Sequence, residues 1–187
     1  MTSALKVIQP GLATNVQDLG RAGRQRLGIP VSGAADATAL RAANIVVGNP
    51  QATAGLEIAL TGPTLEVAAD SVRVAMAGGT TELQIIPADG GEGRKIGALE
   101  SVRLSRGDRL RVAAVAESAV AYLAVAGGLD LPLFEGSRST YVRGGFGGLE
   151  GRALREGDVW PLVLAGAPER AELRLADFEI KQSSRIS

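Results

Sequence analysis

Short runs of alternating apolar and polar residues dominate the chain. Leu5-Lys6-Val7-Ile8 predicts a first strand, stopped by Gln9-Pro10-Gly11, since Pro removes a donor and Gly opens turn conformations. Residues 12 to 34 carry Asn15, Gly20, Gly23, Gly28, Pro30, Ser32 and Gly33 with few apolar anchors, which predicts a long irregular loop. Compact domains seldom keep such a loop unless it forms a site or a lid. One helix is expected from about Asp36 to Val47, capped by Asp36 and ended by Gly48-Asn49-Pro50. Its apolar stripe is weighted toward Ala, which suits close packing on a sheet.

Beyond Gly55 the period changes to two. Strands are predicted at Leu56 to Leu60, around Leu65 and Val67, at Val72 to Met76, Leu83 to Ile86, Val120 to Ala126, Val159 to Leu164 and Ala171 to Ile180. Val102 and Leu104, then Arg106-Gly107-Asp108, then Leu110 and Val112 read as a hairpin. Strands at roughly 8–12-residue spacing predict a mainly β fold, a barrel or sandwich, with one principal short helix. Residues 1–165 are expected to form the domain. Residues 166–187 would add a C-terminal strand and a polar, frayed tail from Lys181.

Composition narrows the chemistry. The chain has 187 residues, 45% hydrophobic but only 3% aromatic, with 25 Gly, so the core must be built from Val, Leu, Ile and Ala. Twenty basic and 20 acidic residues cancel, which argues against a nucleic-acid partner, because such binding needs surplus positive charge. No Cys and no His occur. Thiolate chemistry, a Ser-His-Asp triad and the usual metal sites are thereby excluded. No N-terminal charged and apolar leader is evident, and the most apolar stretch, Val112 to Gly128, is interrupted by Glu117 and Ser118. A cytoplasmic chain with no membrane span is the expectation.

Four places could carry chemistry. In Thr14-Asn15-Val16-Gln17-Asp18-Leu19-Gly20-Arg21, Asp18 could serve as a general base and Arg21 could clamp an anion; a loop ion pair of Asp18 with Arg21 or Arg24 is the plainer alternative. Ser32 and Gly33 stand just before the helix, where exposed amides accept an anion or a carbonyl oxygen, or where Ser32 or Asp36 simply caps. Ser139 and Thr140 lead through Arg143 into Gly144, Gly145, Gly147 and Gly148 around Phe146. That stretch could form an anion-holding nest of amides or a surface turn. No Gly-Lys-Ser/Thr follows, so it is not a nucleotide P-loop. Glu57 alternates with Leu56 and Ile58; it is expected in solvent, or as an inward carboxylate at a barrel mouth.

The same segments resemble a known family. Gln9-Pro10-Gly11 with Thr14-x-x-Gln17-Asp18-Leu19-Gly20-Arg21 looks like its opening signature, and Leu27 to Asp36 continues it. Leu40-Arg41-x-Ala43-Asn44-x-x-Val47-Gly48-Asn49-Pro50, Leu56-Glu57-Ile58, Ala121 to Gly128, Gly136 to Thr140, and Gly147 to Asp158 follow in order. The chain is thus similar to the N-terminal half of the biotin-dependent carboxyltransferases of the allophanate hydrolase subunit 2 type. That family includes the C component of 5-oxoprolinase and the carboxyltransferase domain of urea carboxylase. The resemblance implies a cyclophilin-like β-barrel, present twice in a full member, with the site between the halves. It implies Asp18, Glu57 and Arg143 as catalytic residues. Gln17, Arg21, Ser32, Gly33, Ser139, Thr140, Gly144, Gly145, Gly147 and Gly148 would bind substrate. It implies a subunit 1-type partner, with ATP and carboxybiotin supplied by partner subunits and neither held by this chain alone. The activity implied is ATP-dependent opening of 5-oxoproline or carboxyl transfer to a urea-like amide. The alternative is a regulatory module that docks on the partner without catalysis. Spanning one half, the chain is expected to bind a second half or to self-associate.

Overall fold

A computed structural model describes residues 3–175. Eleven strands and one α-helix make up the regular structure of those residues, with a short 3-10 turn at Gln25–Leu27. The strands are β1 (Ala4–Gln9), β2 (Ala13–Gln17), β3 (Gly55–Ala59), β4 (Thr64–Val67), β5 (Ser71–Ala77), β6 (Leu83–Ile86), β7 (Arg94–Ile96), β8 (Ser101–Ser105), β9 (Arg109–Val112), β10 (Val120–Val125) and β11 (Val159–Pro161). The helix α1 spans Ala37–Val47. They form two antiparallel sheets, ordered β11-β1-β4-β9-β6-β7 and β2-β3-β10-β5-β8. The fold is mainly β with one helix, as the pattern predicts, and its strands divide between two sheets instead of closing one.

The period of two decides what lies between the sheets. Val72, Val74 and Met76 of β5, Leu56 and Ile58 of β3, and Ala121, Leu123 and Val125 of β10 enter one core with Leu5, Leu65, Leu110 and Trp160 from the facing sheet. The opposite faces of β5 and β10 carry Ala75, Ala77, Tyr122, Ala124 and Ala126, on which α1 lays Ala39, Leu40, Ala43, Val46 and Val47. Alanine on both surfaces lets the helix lie close over Ala75 and Ala77, and β5 is buried along its whole length. The helix ends where its chemistry says. Asp36 Oδ1 accepts from the amides of Thr38 and Ala39, both at 3.0 Å, and Gly48 closes it at φ 79°, a left-handed value that Gly adopts without strain. No helix among the described residues is long and apolar enough to cross a membrane.

Four expectations need correction. The segment 12–34 opens with a regular strand, β2, whose Thr14 and Val16 point inward and are buried. Its polar Asn15 and Gln17 hide the alternation from a hydrophobicity reading. The run through Arg106-Gly107-Asp108 is not a hairpin: β8 pairs with β5, and β9 pairs with β4 and β6 in the other sheet. The turn crosses between sheets because Gly107 donates to Val67 O and Val67 to Asp108 O, 2.8 and 2.9 Å. Edge strand β7 is unforeseen, since two of its three residues are exposed basic side chains. The late strand expected at 159–164 stops at Pro161. Of the strand expected at 171–180, residues 171–175 show only a bridge from Arg174 to Glu100, and the remainder lies outside the described residues.

Residues 166–175 nevertheless dock on the second sheet. Ala167 donates to Ser71 Oγ at 3.0 Å, Ser101 donates to Leu173 O at 2.8 Å and Leu175 to Leu99 O at 2.9 Å. Beneath them Arg73, 1% exposed, donates to the carbonyls of Arg170 (2.7 Å), Ala171 (3.4 Å) and Pro168 (3.5 Å). Burial, with Arg170 and Arg103 nearby, lowers the pKa of this guanidinium despite the opposing pull of Glu172.

Candidate functional site

Four segments far apart in the chain meet at one end of the β2-β3-β10 sheet. The first is the exit of β2. Asp18 follows that strand and is 8% exposed. Its Oδ1 accepts from Ser137 Oγ and Ser139 Oγ, both at 2.6 Å, and from the Gly20 amide at 2.7 Å. Its Oδ2 accepts from the Arg138 amide at 2.6 Å. Burial alone would raise the pKa of this carboxyl, but the four donors outweigh it and hold the group below its ordinary value. With donors on both oxygens, this carboxylate organises the 137–140 segment.

Arg21 lies beside it, 2% exposed. Its Nε donates to Phe134 O at 3.2 Å, Nη1 to Ser32 Oγ at 3.2 Å, and Nη2 to Ser139 O. The guanidinium sits 5.3 Å from the ring centre of Phe146 and 5.6 Å from that of Phe134, and the two rings stack at 4.3 Å. Burial lowers its pKa while Asp18 raises it. No direct ion pair joins Asp18 to Arg21 among the described residues. Both meet instead on Ser139, and Arg24 pairs with Glu135 at 2.9 Å.

Gln17 links this cluster to the outer face of the sheet. Its Nε2 donates to Thr140 O at 3.2 Å and to Asn15 Oδ1 at 2.5 Å, and its Oε1 accepts from the Gly33 amide at 3.1 Å. Asn15, Glu57 and Tyr122 then form one row across β2, β3 and β10. Glu57 Oε2 accepts from Tyr122 Oη at 2.6 Å and from the Ala35 amide at 2.9 Å, and the Asp36 amide donates back to Tyr122 Oη at 2.8 Å. Burial and the neighbouring Glu57 carboxylate push the Tyr122 phenol well above its usual pKa. Glu57 is half-buried and roots the entry to α1. Tyr122→Phe removes both phenol bonds and should destabilise the protein by about 1–3 kcal/mol, read as a lower melting temperature with the fold unchanged by circular dichroism.

Gly147 and Gly148 are closely packed. At φ 73° and 54°, a side chain at either would run into Ser139 O or Thr140 Oγ1 respectively, and at Gly147 it would also meet the Arg21 guanidinium. The amides of Gly144 and Gly145 donate to Tyr141 O at 3.1 and 2.9 Å, and that of Gly148 to Arg138 O at 2.8 Å. Arg143 is exposed on this turn and shares no hydrogen bond with the buried cluster among the described residues. Beside the turn opens a cleft of about 280 Å³ lined by Pro132, Leu133, Phe134, Phe146 and backbone from Gly145 to Gly151. The structure therefore joins Gln17, Asp18, Arg21, Ser32, Gly33, Glu57, Ser139 and Thr140 and leaves Arg143, Gly144 and Gly145 at the rim. Ser137, Asn15 and Tyr122 also belong to the network, although sequence reasoning does not single them out; the period-two outward positions opposite Glu57 are the signal for the last two. Among the described residues no three acidic side chains converge to hold a metal ion.

Residues 27–186 match the family model of the carboxyltransferase domain, subdomain A and B. The chain is 36% identical over 182 residues to urea amidolyase of Saccharomyces cerevisiae, covering 97% of this chain and 9% of that protein. It is 39% identical over 158 residues to the C component of 5-oxoprolinase from Escherichia coli, covering 84% of this chain and 49% of the relative. Its structure resembles that of Kluyveromyces lactis urea carboxylase with a TM-score of 0.79 at 38% identity, over 89% of this chain and 15% of the other. The chain spans half or less of the length of each of these proteins.

Proposed function

The chain belongs to the carboxyltransferase domain family, subdomain A and B, and on that premise we propose that it is a non-autonomous component of an amide-processing enzyme. Two activities fit: opening of 5-oxoproline to glutamate, or carboxyl transfer to a urea-like amide. The observation that carries this reading is the convergence of residues 14–21, 31–36, 57 and 137–148 into one bonded network. Asp18 and Arg21 position the loops. Glu57 and Gln17 present polar groups beside them, and Arg143 offers a guanidinium fork at the rim for a carboxylate or carbamate.

ATP and carboxybiotin are assigned to partner subunits, among them a subunit 1-type protein. The glycine-rich turn does not suit a phosphate, because its amides at 144, 145 and 148 already donate to the chain's own carbonyls, and no step is routed through either group. The exposed Leu27, Leu133 and Val142 offer the partner an apolar rim.

The test is reconstitution. Purified alone, the chain should show no ATP-dependent turnover of 5-oxoproline or urea; combined with its partner, one of these should be consumed. In that complex Arg143→Lys should reduce activity about 10-fold or more, the scale of one charged hydrogen bond, with an unchanged melting temperature. Steady-state turnover by the isolated chain would sink the component reading. Full activity of Arg143→Lys would take Arg143 out of the site.

A further inference from the structure

The row Asn15–Glu57–Tyr122 leaves two polar groups unused. Glu57 commits only Oε2 to Tyr122 and Ala35. Asn15 commits only Oδ1, to Gln17. Glu57 Oε1 and Asn15 Nδ2 make no hydrogen bond among the described residues, and both side chains are partly exposed. Asn15 and Glu57 are direct partners across β2 and β3, so their Cβ atoms lie roughly 4.5–5.5 Å apart on one face. The neighbouring pair on that face is Ala13 and Ala59, which leaves the ground beside them open. The bonds on Oε2 and Oδ1 orient the two side chains and leave Oε1 and Nδ2 for a ligand.

We infer that Asn15 and Glu57 form a recognition pair for the cis N–H/C=O edge of a urea, primary amide or lactam. Asn15 Nδ2 donates to the ligand carbonyl, and Glu57 Oε1 accepts the ligand N–H. A urea, a primary amide or a lactam carries both groups on the same side of the C–N bond. An ordinary trans peptide bond carries them on opposite sides and cannot bridge the pair. The inference rests on the amide-processing reading and deepens it by naming the ligand edge and the two atoms that read it.

The pair can be inverted. In Glu57→Gln the side-chain oxygen stays with Tyr122 and Ala35, so the amide nitrogen takes the place of Oε1 and two donors face the ligand. In Asn15→Asp one oxygen stays with Gln17 and the other replaces Nδ2, so two acceptors face it. Either change alone opposes the edge; the two together restore one donor and one acceptor with the edge reversed.

The experiment is a titration of the full chain followed by nuclear magnetic resonance of the Asn15 side-chain amide and neighbouring backbone amides. The probes are 2-pyrrolidone and 5-oxoproline, with N-methyl-2-pyrrolidone and the trans amide N-methylacetamide as controls. Saturable shifts are expected with the first two only. Each single variant should weaken 2-pyrrolidone binding at least tenfold, and Asn15→Asp/Glu57→Gln should recover most of it. Thermal melts of all three variants separate misfolding from lost recognition, and recovery in the double variant cannot come from misfolding. Equal response to the N-methylated lactam overturns the inference. So does indifference to Asn15→Asp, or the absence of shifts up to roughly 50 mM lactam, beyond the millimolar range suited to two hydrogen bonds. None of these results depends on turnover, so an active complex beside a failed titration removes the pair and leaves the component assignment standing.

Discussion

Asp18→Ala should destabilise the protein by about 3–5 kcal/mol, the range for removing one partner from a buried charged cluster. At roughly 2–4 °C per kcal/mol for a chain of this size, the melting temperature should fall by about 10 °C. The cause is local and specific. Ser137 Oγ, Ser139 Oγ and the amides of Gly20 and Arg138 all donate to this one carboxylate, and in the variant the two buried hydroxyls lose this acceptor. Asp18→Asn should do nearly as much harm, because an amide nitrogen would face donors. The pH dependence follows from the sign of the shift. The folded carboxyl titrates below its ordinary value, so its contribution is fully present above about pH 4 and is lost as the pH falls through the folded pKa. The wild type should therefore lose stability on acidification below that point more steeply than Asp18→Asn, which has no such group to protonate. A small change in melting temperature for Asp18→Ala would show that the cluster can rearrange, and the organising role would fail with it.

Arg73→Met is expected to release residues 166–175 while the two-sheet body stays folded. The buried guanidinium is a donor to carbonyls of 168, 170 and 171, and hydrogen bonds from a charged donor contribute roughly 1.5–3 kcal/mol each. Met fills the space without a donor. The carbonyls then regain partners only by lifting toward water. Hydrogen exchange at the amides of Leu173 and Leu175 should speed up about 10- to 100-fold, while the amides of β5 and β10 keep most of their protection. Unchanged exchange at Leu173 and Leu175 would mean that their bonds to Ser101 Oγ and Leu99 O hold the segment without Arg73.

Much of the architecture follows from periodicity and caps. Asp36 before an Ala-rich stripe and Gly48 after it could only bound a helix, because cap chemistry acts within a few residues. The inward residues of β3, β5 and β10 are legible as alternating apolar positions for the same local reason. The ordered motifs from Gln9 to Asp158 also mark the segments that converge, though not how. Polar strands escape such a reading: β2 buries a threonine and β7 is a basic edge, so neither presents the contrast that alternation needs. The crossing at Arg106-Gly107-Asp108 passes for a hairpin because a turn between sheets and a hairpin turn use the same residues.

What the sequence by itself determined is the set of local preferences: strand period, helix limits, turn positions, and the absence of His and Cys chemistry. What only the tertiary structure decided is the use of each polar group. Asp18, a residue suited to proton transfer or to an ion pair, becomes an acceptor for donors more than a hundred residues away. Gly147 and Gly148 make room for Ser139, Thr140 and Arg21. Glu57 is neither freely solvated nor inside a barrel; it keeps one oxygen for Tyr122 and Ala35 and, among the described residues, one unengaged. The reason is that a side chain's chemistry depends on its burial and its partners, and in a sheet those partners come from strands distant in sequence, whose pairing no local pattern encodes.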